Sequence, residues 1–210
     1  MFADVKAVKR LMKSAYKGTG ITIENQYDGM AIYTSCWGVW ITNEDLTNEI
    51  KAAVVEIAGE LPEDEEAWSC RYKEENQQVI PKSLYDMEKI ITVASLSQKA
   101  HITPILYMKD DGTLCRALQG VEKVERYEDV GEKSMFGSIA LINNVFADWI
   151  DVTNIRAEEK DEEWPSGPRM SLENEIVVWN NERCVMHCRL RDDTKEREDG
   201  IIDILEKRTW

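Results

Sequence analysis

The sequence predicts an α+β protein with antiparallel sheets and helices on one face. Three observations lead there. Residues 4–18, DVKAVKRLMKSAYKG, carry apolar side chains at helical spacing. Residues 31–41, AIYTSCWGVWI, are rich in the aromatic and β-branched residues that suit strands. HITPILYMKDDGTLCRAL (101–118) and NEIVVWNNERCVMHCRL (174–190) share one form: strand, tight turn, strand, each time after an apolar, helix-like stretch.

The elements follow in order. In the first segment Asp4 can cap the helix and Gly18 can end it. At 100° per residue Val5, Val8, Leu11, Met12, Ala15 and Tyr16 share a side, and Lys6, Lys9, Arg10, Lys13 and Lys17 form a second, cationic stripe. Residues 20–41 read as two or three antiparallel strands, with YDG as a turn. Residues 42–62 form a second helix, capped by Thr42 or Asn43, with Leu46, Ile50, Ala53, Val54 and Ile57 as its stripe. SCRYKEENQQVIP (69–81) reads as a strand that stops at Pro81. A third helix opens at Ser83, with Leu84, Met87, Ile90, Ile91 and Ala94 inward. The hairpin at 101–118 turns at Lys109-Asp110-Asp111-Gly112. SIALINNVFADWIDV (138–152) suggests a fourth helix, and RAEEKDEEWPSGPRMS (156–171) a mobile loop. The second hairpin turns at Asn180-Asn181-Glu182, and the tail becomes helical from Ile201. Helix followed by hairpin thus occurs in each half, as duplicated βα units would give. The expected division is residues 1–119, a charged connection at 120–134, and a shorter second half at 135–210.

Composition narrows the function classes. The chain has 210 residues, 43% of them hydrophobic, enough for one core or two modest ones. Its 26 basic and 40 acidic residues give a net charge of 26 − 40 = −14, which disfavours loose whole-surface binding to nucleic acid or anionic membrane. No apolar run is long enough to span a bilayer, and Lys6, Lys9 and Arg10 interrupt any leader-like core, so a cytoplasmic protein is expected. Five irregularly spaced cysteines make a poor disulfide framework.

The motifs of common chemistries are absent: no Gly-rich phosphate loop, no G-x-S-x-G, no H-E-x-x-H, and only His101 and His187 for acid–base work. Cys184, His187 and Cys188 form the one metal-like cluster. On a strand, however, His187 points away from the two thiols, and no C-x-x-C pair accompanies them. Neither a metal nor a cofactor is expected, and the runs Glu63–Glu66 and Glu158–Glu163 read as solvated loops. Trp37, Trp40 and Trp179 belong to strand cores, whereas Trp164 and Trp210 are candidates for anchoring a protein partner. The cationic stripe admits three readings: a solvated helix face, a surface for backbone phosphates, or a membrane-surface helix whose apolar side lacks the usual Trp and Phe.

The layout of residues 3–118 resembles one domain of the DNA sliding clamps that tether replicative polymerases. The matching parts are the basic helix DVKAVKRLMKSAYK, the strands ITIENQYDGMAIYTSCWGVWI, the segment VIPKSLYDMEKIITVAS and the hairpin HITPILYMKDDGTLCRAL. In the second half, ALINNVFADWIDV followed by EIVVWNNERCVMHCRL is similar to the closing portion of such a domain. The resemblance implies a non-enzymatic processivity factor, an oligomeric ring around duplex DNA, with phosphate contacts from Lys6, Lys9, Arg10, Lys13 and Lys17 and also from Lys82 and Lys89. Three features depart from the pattern: an inserted helix at 42–62, a short second half, and no basic stripe on 138–152. The competing expectation is an acidic α+β protein-binding module with no nucleic-acid role.

Overall fold

The three-dimensional structure is a computed structural model and describes residues 2–80, 86–122, 135–150 and 165–207. It is α+β, and the chain divides into two compact units, each assembled from separate stretches: 1–91, 148–166 and 180–187 in the first, 92–147, 167–179 and 188–210 in the second.

The first unit begins with α1 (Val5–Lys17). Asp4 caps it, its Oδ1 accepting the Ala7 N–H at 2.7 Å, so one orphan donor of the first turn is satisfied. Strands β1 (Ile21–Gln26), β2 (Gly29–Tyr33) and β3 (Trp37–Thr42) follow as an antiparallel meander. α2 (Asn48–Ala58) comes next, then β4 (Ala67–Cys70) and β5 (Gln77–Val79). The strand order is β5-β4-β1-β2-β3, with β11 (Cys184–Arg189) beside β3. Ile23, Ile32 and Val39 pair in register across three strands and are fully buried, each contributing about 1.5–3 kcal/mol of burial. Glu24, Ala31 and Trp40 form the adjacent row on the opposite face. α1 buries Ala7, Val8, Leu11, Met12 and Ala15, α2 buries Ile50, Ala53, Val54 and Ile57, and the helices pack on each other and on β1 and β4.

The second unit contains β6 (Gln98–Met108), β7 (Leu114–Glu122), β8 (Met135–Asn143), β9 (Ser166–Ser171) and β10 (Ile176–Asn180), in the order β10-β9-β6-β7-β8. α3 (Met87–Leu96) leads into it. Two short helices, α4 (Thr194–Glu198) and α5 (Ile201–Glu206), close it: Ile202 and Leu205 pack on Cys115, Ala117, Ile139 and Leu141.

Several expectations are corrected. Residues 138–150, the described part of the expected fourth helix, do not form an α-helix: through Asn143 they belong to β8, paired antiparallel with β7, and Asn144–Phe146 is a 3-10 turn. The run Ile139-Ala140-Leu141-Ile142 is buried on both faces, which erases the alternation that marks a strand. The second hairpin is therefore not preceded by that helix, and one of the parts that resembled a clamp domain is a strand. The single strand expected at 69–81 is a hairpin, β4 and β5. Of the loop expected at 156–171, residues 156–164 lie outside the described residues, and Ser166–Ser171 is a strand, β9, which pairs with β6. The second helix starts later than Thr42, because Thr47 is its cap and accepts the Ile50 N–H at 3.3 Å, while the Thr42 carbonyl closes a turn onto Asp45 and Leu46. Asp86 accepts the Lys89 N–H at 2.9 Å at the start of α3, and the expected cap Ser83 lies outside the described residues. Residues 92–119 fall in the second compact unit, where β6 pairs with β9. The expected connection at 120–134 lies largely outside the described residues, beginning instead within β7.

Candidate phosphate-contact face

The feature to build is the second stripe of α1. The helix forms because its apolar positions recur at three and four residues and an aspartate caps it. Once the apolar stripe is buried, the remaining side is turned outward. Lys6, Arg10, Lys13 and Lys17 are exposed there and Lys9 is half-buried. Eleven residues separate Lys6 from Lys17, about 16 Å at 1.5 Å per residue. The cations thus lie along a line about as long as several phosphate steps of one DNA strand.

The stripe is not wholly free. α2 brings Glu56 alongside it, and Lys13 Nζ lies 2.8 Å from one Glu56 oxygen and donates to the other at 3.1 Å. The Lys13 hydrogen bond and charge hold the Glu56 carboxyl below its ordinary range, with Lys9 and Lys17 adding to the field. The pair is solvent-exposed, so it holds Lys13 only weakly. Among the described residues Lys6, Arg10 and Lys17 make no ion pair. Lys17 occupies the last turn, where the helix dipole favours a cation.

No family model, curated protein or solved structure matches this chain.

The other anticipated residues fare differently. Lys89 is exposed on α3, while Lys82 lies outside the described residues, as do Trp164 and Trp210. Trp37, Trp40 and Trp179 are buried, as strand residues should be, and Trp149 meets Trp37 edge to face at 6.4 Å. Cys184 and Cys188 are buried, which raises their thiols far above the ordinary range. His187 is half-buried, and burial of its ring pushes the imidazole down to about 4. Neutral thiols and a neutral imidazole are poor starting points for nucleophilic chemistry. Among the described residues no group of three His, Cys, Asp or Glu side chains is placed to hold a metal, and no helix is long and apolar enough to cross a membrane.

Among the described residues, two buried carboxylates escaped the sequence reading. Glu24 is 1% exposed; Tyr33 donates to its Oε2 at 3.1 Å and Gln26 to its Oε1 at 2.9 Å. Glu196 is buried against Lys109, 3.0 Å away. In ITIENQ, Glu24 falls on the polar side of an alternating strand, and nothing local signals that this side is covered. Glu196 sits in a polar tail whose partner is 87 residues away.

Proposed function

We propose that this chain is a non-enzymatic protein that contacts the phosphate backbone of duplex DNA through the outer face of α1. The observation that supports the reading is the line of exposed cations, Lys6, Arg10 and Lys17 with Lys13 beside them, on a rigid capped helix in a chain of net charge −14. Cations on a helix meet phosphates without reading bases. The acidity of the rest of the molecule repels DNA elsewhere and confines contact to this face. Binding of this kind is weak, independent of sequence and dependent on salt.

The test is fluorescence anisotropy of a labelled duplex at low and moderate salt. With about three cations engaged, log K should fall against log salt with a slope of about −3. Lys6→Glu/Arg10→Glu/Lys17→Glu should abolish binding with the fold intact by circular dichroism. Glu56→Gln should strengthen binding, because Lys13 loses its competing carboxylate. Unchanged affinity in the triple variant would sink the proposal.

A further inference from the structure

The first unit also holds a pocket of about 380 Å³ at the ends of β1, β2 and β4. Pockets of this size are in the range that takes small ligands. Six hydroxyl-bearing residues line it: Thr19, Thr22, Tyr33, Thr34, Ser35 and Ser69. The convergence is set by strand register. Thr22 pairs with Tyr33 on one side and with Ser69 on the other, so these three side chains share a face. Among the described residues no charged side chain lines the space.

Three of the hydroxyls have work already, Ser35 Oγ lying 3.7 Å from Cys36 Sγ. Thr34 Oγ1 accepts the backbone N–H groups of Cys36 at 3.1 Å and Trp37 at 3.3 Å, which fixes the β2–β3 turn. Tyr33 donates to Glu24, whose second oxygen is taken by Gln26. Among the described residues the hydroxyls of Thr19, Thr22 and Ser69 have no protein partner. Each can donate one hydrogen bond and accept others.

We infer that this pocket binds a small neutral polyhydroxylated ligand, of the size of a monosaccharide or a linear polyol. Hydroxyls both donate and accept, so a cluster of them complements a ligand with the same dual capacity. An anion would find no cation in the lining and a buried carboxylate behind Tyr33. An ammonium group would find that carboxylate already occupied on both oxygens.

The test records backbone amide shifts of the full chain by NMR while glucose or mannitol is added, with inorganic phosphate and methylammonium as charged probes. Saturable shifts at Thr19–Thr22 and Thr34–Ser35 with a neutral polyol, and with neither charged probe, are expected. Thr22→Val keeps the side-chain shape and Ser69→Ala removes one hydroxyl; each should weaken binding about tenfold. Cys36 gives a check that needs no variant. It adjoins Ser35 and is the only exposed thiol of the five, so bound polyol should slow its reaction with a maleimide. Absence of saturable polyol shifts, binding of phosphate or methylammonium instead, or undiminished binding in both variants overturns the inference. DNA binding by α1 stands or falls separately, since none of the pocket residues belongs to its cationic face.

Discussion

At the scale of single residues, Glu24 shows how local pattern and burial part company. Burial raises its carboxyl, and the hydrogen bonds from Gln26 and Tyr33 pull the other way without cancelling it. A raised acid favours the folded state at low pH. Its contribution is fullest below the ordinary value of 4.5 and declines as pH rises through the raised one. Glu24→Gln keeps an acceptor for Tyr33 and removes the charge, so stability at pH 7 should be equal or higher, with the decline abolished. Glu24→Ala leaves the Tyr33 hydroxyl buried without that acceptor and should cost about 1–3 kcal/mol. Urea unfolding from pH 4 to 8 checks both, and equal stability of the two variants would refute the account. His187 acts in the opposite sense. Its folded value of about 4 lies below the ordinary 6.5, so it stabilises the fold above 6.5 and that stability is lost as pH falls towards 4. The same titration on His187→Gln should show a flatter acid limb, by at most about 1.4 kcal/mol per pH unit.

At the scale of elements, the C-terminal helices α4 and α5 are short and weak in propensity, and tertiary contacts hold them. Lys109 in the β6–β7 turn donates to Glu196 and to the Asp192 carbonyl. Asp110 pairs with Lys195, and Asp111 with Arg191 at 3.1 Å. The exposed pairs contribute little, whereas Lys109–Glu196 matters because Glu196 is 3% exposed. Lys109→Met strands a buried carboxylate and should destabilise the chain by about 3 kcal/mol, with amide exchange accelerating first over 194–206. Adding Glu196→Leu should recover most of the loss, since an apolar pair of similar volume replaces two buried charges. A double variant no more stable than the single one would show that the pair is not the cause. Helix α1 was legible because its stripe and cap are local, and so was the stripe of α2, whose cap is nonetheless Thr47 rather than Thr42 or Asn43. β8 was not, because burial on both faces removes the period that tells strand from helix.

At the scale of the whole molecule, neither compact unit is a continuous stretch of chain. The first needs 180–187, which sets β11 beside β3, and the second needs 167–171, which sets β9 beside β6. Fragments 1–119 and 135–210, the halves that the charged connection suggests, should therefore fail to fold alone. Poor amide dispersion in NMR spectra of both fragments is expected, and a well-dispersed spectrum from either would contradict the division. Equilibrium unfolding of the intact chain tests cooperativity separately, because pairing between distant segments favours concerted loss of structure.

Sequence alone determined the α+β class, the meander at 20–41, the hairpin at 101–118 with its turn, and the cationic stripe of α1. All of these depend on neighbours within a few residues, where side-chain period, caps and turn residues act directly. Tertiary structure alone decided that Glu56 would sit against Lys13, that Glu24 and Glu196 would be buried, and that Thr19, Thr22 and Ser69 would converge on one pocket. It also decided that residues 138–143 would be a strand. Each of these depends on which distant segment pairs with which. That choice is made by the free energy of the whole packed core, and no short window of residues carries it.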